Sequence, residues 1–208
     1  MKQFISIFTI CYLLSLTLSA QLNSYPVTVD VKDKSVLSIH GKSNVVDFTF
    51  DQPSKEFIDN KLYVVASWKN DKIYLSESNL EIPVKSFNSS NKMALRDFNK
   101  LVKSDQYPKM LIKLDHIELA DRSSTSAVGN AVIDVTITDV TKRYIFPVTT
   151  GKNGNNFTFD ITKEINIRDF NLTPPVHMMG MIKVDELITI NLFMECDILP
   201  LDQAELTK

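Results

Sequence analysis

The sequence predicts an all-β fold in which antiparallel strands form a barrel or a sandwich, accompanied by one helix. Period-two alternation of apolar and polar residues dominates the chain after residue 25. Its longest stretch is 188–198, where every second residue is apolar. Strands do not alternate regularly with helices, so the crossover connections of a parallel sheet are not expected.

The first residues, 1–20, have the three parts of a secretory signal peptide. Lys2 gives the positive start, an apolar run extends to Leu18, and the small residues Ser19 and Ala20 precede the expected cleavage site. The run is short for a membrane span of roughly 20 apolar residues. We therefore expect a periplasmic or secreted protein without stable membrane insertion.

Residues 21–200 are expected to form one β domain, and residues 201–208 a flexible tail. Turn signals such as the Gly151–Gly154 segment separate the alternating stretches, and at least eight strands are predicted. The predicted strands fall near 25–31, 35–40, 46–50, 62–68, 71–76, 79–86, 110–114, 131–137, 143–150, 157–161 and 188–198.

One segment, from residue 91 to residue 103, has helical periodicity instead. Ala94 and Phe98 lie on its apolar face, and charged residues take the opposite face. Asn91 or Ser90 can cap the first turn with its side-chain oxygen. The sequence therefore predicts one amphipathic helix among the strands.

Composition and motifs exclude several classes of function. With 23 basic and 25 acidic residues, the net charge of −2 gives no electrostatic footprint for nucleic acid. The three histidines are far apart and do not have the spacing of metal ligands. Five glycines and no Gly-x-Ser-x-Gly elbow leave neither a phosphate-binding loop nor a serine hydrolase site. We expect no catalysis, no metal and no cofactor.

Two residues are assigned structural roles. His116 follows Met110, Ile112 and Leu114 in alternation, so a hydrogen-bonded core histidine on their face is expected. Cys196 belongs to the alternation of the last strand, where a buried, small apolar residue is expected rather than a reactive thiol.

Three stretches, in the same order as in the family, are similar to the YceI family of bacterial periplasmic proteins. Residues 35–50 (SVLSIHGKSNVVDFTF) resemble its opening hairpin, and residues 84–114 resemble its strand, helix and Tyr-Pro connection. In residues 165–190, the segment Arg168-Asp169-Phe170 is similar to the family's Arg-x-x-Phe-Gly element. Asn171 stands where the family often has that glycine.

The resemblance implies an eight-stranded antiparallel barrel of lipocalin-like form, with the helix packed across one end. It also implies non-enzymatic binding of a long, apolar, polyisoprenoid-type lipid inside the barrel. The residues expected to contact the lipid, in the lumen or at the mouth, are Phe48, Phe50, Ile133, Val135, Phe159, Met178, Met179, Ile190, Leu192 and Met194. The alternative is an exported interaction or stress-related module with a filled core and no ligand. A monomer and a homodimer are both allowed.

Two expectations concern the region before the last strand. The segment 171–181 is expected to act as a flap, stiffened by Pro174-Pro175 and turned by Gly180. Its two methionines could equally plug the end of the core. Arg168 is expected to anchor the strand-to-loop transition by bonding carbonyl groups or Asp169.

Overall fold

The computed structural model describes residues 23–56, 61–69, 72–76, 79–120 and 125–201. The predicted signal peptide and the tail beyond Leu201 lie outside the described residues. The strands are β1 (Asn23–Val31), β2 (Val36–Lys42), β3 (Asp47–Pro53), β4 (Lys61–Lys69), β5 (Lys72–Leu75), β6 (Asn79–Pro83), β7 (Lys109–Leu119), β8 (Ser126–Ile137), β9 (Val140–Asn153), β10 (Asn156–Asn166), β11 (Val176–His177), β12 (Ile182–Lys183) and β13 (Leu187–Pro200).

One α-helix is found in the described part of the chain, α1 (Lys92–Leu101). Asn91 is its N-cap, and the Asn91 side-chain oxygen accepts a hydrogen bond from the backbone N–H of Ala94 at 3.0 Å. Short 3-10 helices occupy Ser54–Glu56, Val84–Ser86, Ile167–Phe170 and Met178–Gly180. The all-β class with one helix is therefore confirmed.

Eight of the strands close into an antiparallel barrel in the order β1-β4-β5-β7-β8-β9-β10-β13. Closure comes from β13 returning to β1, with Val27 opposite Pro200 and Val31 opposite Cys196. A closed barrel leaves no unpaired edge around this circuit. The predicted eight-stranded barrel is confirmed.

The two ends of the barrel are built from different strands because β13 and β7 each change partner along their length. β13 pairs with β1 through residues 196–200 but with β2 through residues 189–193. β7 pairs with β5 at Ile117 and Glu118, and with β6 through residues 109–113. We call the end with β1, β4 and β5 the filled end, and the end with β2, β3 and β6 the helix end.

At the helix end the sheet is nearly interrupted between β3 and β6. The backbone groups of Asp51 and Asn88 exchange two hydrogen bonds of 2.8 Å. Beside them, the buried Gln52 amide donates to the Ser86 hydroxyl at 2.6 Å and to the Pro83 carbonyl at 3.3 Å. These contacts join β3 to β6 and to the segment just after it, although β3 and β6 share no continuous ladder.

Helix α1 packs at this interruption. The ring of Phe98 stacks on that of Phe50, with centroids 4.7 Å apart, and meets the edge of Phe87 at 5.5 Å. The apolar face predicted for the helix thus lies against the strands. Aromatic pairs at these separations add to the energy of burial itself.

The buried side chains form two clusters. The larger one extends through the helix end and the middle of the barrel: Leu37, Ile39, Phe50, Ile82, Val84, Phe87, Val102, Met110, Ala131, Ile133, Val135, Ile137, Phe146, Val148, Ile161, Ile165, Ile167, Phe170 and Leu172. The smaller one lies at the filled end, where Val31 and Cys196 are packed by Val29, Leu62, Phe157, Met194 and Ile198. Leu80 and Phe159 touch both clusters.

The predicted place of His116 is wrong, and a β-bulge is the reason. Leu114 pairs with the inward-facing Ile133, but His116 pairs with Val132, on the opposite face of β8. One extra residue therefore turns the His116 ring to the outer wall of the barrel. The ring is nevertheless only 8% exposed.

The expectation that His116 is hydrogen-bonded is confirmed on this outer wall. Its ring nitrogens lie 3.2 Å from the carboxylate of Asp115, 3.2 Å from that of Glu118 and 3.1 Å from the ammonium of Lys72. The ring of Tyr74 covers it, with centroids 5.4 Å apart.

Candidate functional site

An apolar cavity of about 180 Å³ lies at the helix end of the barrel. Strands, helix α1 and the segment before β13 all contribute to its walls. The apolar lining residues are Leu37, Ile39, Val45, Val46, Phe48, Phe50, Ile82, Met93, Ala94, Phe98, Leu101, Val102, Met110, Ile112, Val135, Ile137, Ile167, Leu172, Pro175, Ile182, Val184, Ile188 and Ile190.

Strand alternation explains why so many apolar side chains converge here. Ile39 lies between Ile190 of β13 and Phe50 of β3, and all three belong to the cavity wall. Directly opposed residues in an antiparallel pair project from the same face, so one apolar pattern continues across three strands.

The polar lining residues are few: Ser43, Asn91, Asp97 and Asp185. The Ser43 hydroxyl donates to the carbonyl of Val46 at 2.9 Å, and the Asn91 side chain caps α1. Among the described side chains that line the cavity, none is a lysine or an arginine. The cavity can therefore hold an apolar group by burial.

The turn between β2 and β3 is fastened to the segment before β13. The Asn44 amide donates to the Met181 carbonyl at 2.8 Å, and the Asn44 side-chain oxygen accepts from the Lys183 backbone N–H at 2.9 Å. The backbone N–H of Asp185 donates to the Lys42 carbonyl at 2.9 Å. These bonds fix one wall of the cavity at its opening.

Four of the predicted lipid-binding residues line the cavity: Phe48, Phe50, Val135 and Ile190. Ile133 and Leu192 belong to or pack on the larger cluster, Phe159 touches both clusters, and Met194 packs in the smaller one. Met178 is exposed, and Met179 lies beside it in the last 3-10 helix. Contact of any of the ten with a ligand stays a prediction.

Several cavity residues were missed because they lie outside the strands. Met93 and Leu101 come from α1, and Val45 and Val46 come from the β2–β3 turn. The apolar pair Val45-Val46 within a polar turn was the available signal, since turns usually expose polar residues.

Arg168 anchors the segment before β13, as expected, but through other partners. Its guanidinium Nε donates to the Glu186 carboxylate at 2.8 Å, and its Nη1 to the Thr173 hydroxyl at 3.2 Å. Asp169 accepts instead from the Tyr144 hydroxyl at 2.8 Å. Burial, and secondly this hydrogen bond to a carboxylate, raise the pKa of Tyr144.

Metal-binding groups and membrane-spanning helices are both absent from the described residues. No group of three or more His, Cys, Asp and Glu residues there is placed to hold a metal ion. Within the same ranges, no helix has the length and apolar character needed to cross a membrane.

The barrel is similar to several solved structures. Burkholderia cenocepacia BcnA matches with a TM-score of 0.56 and 19% identity, covering 80% of this chain and 99% of that one. A polyisoprenoid binding domain from Saccharophagus degradans, implicated in plant cell wall breakdown, matches with a TM-score of 0.53 and 8% identity, covering 82% and 97%. The Campylobacter jejuni YceI protein matches with a TM-score of 0.50 and 17% identity, covering 64% and 79%.

At these identities the solved structures support the fold alone. No curated protein sequence matches this chain. The YceI-like domain family, in contrast, matches residues 40–196, a range that includes α1 and most of the cavity wall. The chain therefore belongs to the YceI-like family.

Proposed function

We propose that the protein binds and carries a long, apolar lipid of isoprenoid type, without chemical reaction, in the periplasm or outside the cell. The observation that carries the proposal is the cavity of about 180 Å³ with almost entirely apolar walls. The signal-peptide pattern of residues 1–20 supports export. The polyisoprenoid binding domain among the solved structures supports the class of ligand.

The size of the cavity is compatible with a slim hydrocarbon chain. Its 180 Å³ exceeds the roughly 150 Å³ of an engineered apolar cavity that stays dry and admits benzene. On that scale the cavity has room for about seven carbons, and their burial contributes at most about 6 kcal/mol at about 0.8 kcal/mol per carbon. Micromolar affinity needs about 8 kcal/mol, so a longer bound chain also has to bury carbons against the apolar side chains at the opening.

The alternative is an exported interaction module whose barrel is filled by its own side chains. In such a module an open apolar cavity would lower the free energy of unfolding without contributing to binding, because empty apolar volume is destabilising. The cavity therefore favours the lipid carrier.

Titration with farnesol, a prenyl alcohol of three isoprene units, tests the proposal. Replacing Ile190, which lines the cavity, by Trp fills the space that the chain would occupy. The matched control is Ile145→Trp, because Ile145 lies on β9 and is 56% exposed. We expect at least tenfold weaker binding for Ile190→Trp, and wild-type affinity for Ile145→Trp.

Two results would contradict lipid carriage. The first is equal affinity in both variants, which would place the binding outside the cavity. The second concerns the wild-type protein and combines two negative results. The protein does not bind farnesol, and its mass in native mass spectrometry does not fall by several hundred daltons after organic extraction.

A further inference from the structure

Five apolar side chains stand exposed around the opening of the cavity. Val45 is 63% exposed, Val46 48%, Met93 56%, Met178 65% and Met181 71%. We call these residues the mouth rim. They come from the β2–β3 turn, the first turn of α1 and the segment before β13.

The mouth rim is continuous with the cavity. Val45, Val46 and Met93 are exposed to solvent and also line the cavity wall. Met181 lies beside the β2–β3 turn, because its carbonyl accepts the hydrogen bond from the Asn44 amide. Met178 lies close to Met181, because the Met178 carbonyl accepts a hydrogen bond from the Met181 backbone N–H at 3.2 Å.

This arrangement differs from scattered exposed apolar residues, which are common on soluble proteins. Three of the rim residues also line the cavity, and Met181 is held beside the β2–β3 turn by its hydrogen bond to Asn44, so the rim lies at the entrance of an apolar cavity. Exposed apolar side chains gathered in one place usually mark a binding surface.

We propose that the mouth rim docks on the surface of a lipid bilayer, with its apolar side chains inserted among the lipid headgroups. This inference rests on the proposed function, because a lipid in the cavity has to enter and leave through the rim. A bilayer covers the apolar side chains and also gives a hydrocarbon chain a path that avoids water. A second copy or a protein seated on the rim would cover it but would block that path.

The charges around the rim indicate which lipids are needed. Lys42, Lys92 and Lys183 are exposed next to rim residues, and so are Asp47 and Asp185. With both signs present, no strong attraction to anionic lipids is expected. Docking is therefore attributed to apolar insertion, and vesicles of the zwitterionic lipid phosphatidylcholine should be sufficient.

Co-sedimentation of the unloaded protein with phosphatidylcholine vesicles tests the inference. The rim variant is Met181→Asp, because Met181 is 71% exposed and is not among the residues that line the cavity. The control is Val128→Asp, which places the same charge on a residue of the outer barrel wall that is 62% exposed. We expect the rim variant to lose at least tenfold in vesicle partitioning and the control less than twofold, with both melting like the wild type.

Three outcomes would overturn the docking surface: no partitioning of the wild type, equal partitioning of the rim and control variants, or a wild-type dimer, detected by light scattering, that the rim variant abolishes. Farnesol titration without vesicles reads out the proposed function separately. Retained farnesol binding in a rim variant that has lost vesicle binding supports docking. Vesicle binding that depends on the rim, in a protein without affinity for farnesol, supports docking while contradicting lipid carriage.

Discussion

The filled end and the helix end of the barrel have the same kind of strands but different interiors. At the filled end, Val31 and the fully buried Cys196 are surrounded by side chains of β1, β4, β10 and β13. At the helix end, equally apolar side chains line a cavity of about 180 Å³. None of the residues of the smaller cluster lines that cavity.

The difference follows from how each end closes. At the filled end, β1 is joined to β13 and β4 by ladders of hydrogen bonds, which hold neighbouring strands about 4.8 Å apart. At the helix end, the contacts of Asp51 and Gln52 join β3 to β6 and to the segment just after it over the described residues, and α1 packs there. A helix is about 10 Å wide with its side chains, so it holds the walls farther apart than another strand would.

The largest expected difference between the two ends is in cysteine reactivity. Burial, more than the nearby charges, raises the pKa of the Cys196 thiol to about 12. At pH 8 its thiolate fraction should be about a thousandfold lower than that of a thiol of pKa 9.0. Labelling of the native protein with iodoacetamide should therefore be slower by at least this factor than labelling in urea.

A cysteine at the helix end provides the comparison for that measurement. Ala94 lines the cavity and is only partly buried. In a Cys196→Ala protein, the thiol introduced by Ala94→Cys should react at least tenfold faster than native Cys196, because it is only partly buried. Rapid native labelling of Cys196 would contradict the closed packing of the filled end.

The next largest difference is in the response to added volume. Cys196→Phe puts a ring into fully packed surroundings and should lower the free energy of unfolding by about 3 kcal/mol. Ile190→Phe adds volume next to the cavity and should cost less than about 1 kcal/mol. Urea denaturation measures both. If both variants lowered the free energy of unfolding equally, the cavity would not accommodate the added Phe ring at position 190.

A smaller effect is expected from the cap of α1. Asn91→Ala removes the oxygen that accepts from the Ala94 N–H and should lower the free energy of unfolding by about 1 kcal/mol. Ser90→Ala is the control, since Ser90 precedes the cap residue. Thermal denaturation should show a shift for the first variant alone. If Ser90→Ala destabilised the protein equally, Asn91 would not be the functional cap.

The smallest effect should come from Arg168, which ties Glu186 and Thr173 at the surface of the helix end. The Arg168 and Glu186 side chains are 47% and 46% exposed, so Arg168→Ala should cost about 0.5 kcal/mol. Lys85→Ala breaks the more exposed pair with Asp105 and should change the melting temperature less. Abolished ligand binding at unchanged stability would instead give Arg168 a functional role.

The sequence predicted the strands well and the position of the cavity only in part. Alternation tells which face of a strand points inward, but it does not tell how far along the barrel a residue lies. Ile190 and Met194 share one face of β13, yet Ile190 lines the cavity and Met194 packs at the filled end. That distinction depends on where β13 changes partner from β2 to β1, which no local pattern specifies.

His116 shows a second limit of sequence patterns. Its alternation with Leu114 is intact in the sequence, but one additional residue at Asp115 reverses the inward and outward faces. A bulge of this kind depends on pairing with β8, fifteen or more residues later in the chain. Patterns within one strand cannot reveal it.

The ladder that closes the barrel has a consequence for biosynthesis. Val27 and its partner Pro200 are separated by about 170 residues, so β1 is made long before the strand that completes its pairing. At about 5–20 residues per second, a ribosome needs roughly 10 to 35 s to synthesise that interval. During this time β1 has an unpaired edge, which is a template for aggregation. The barrel can therefore close only after β13 has been made, and its closure follows synthesis rather than accompanying it.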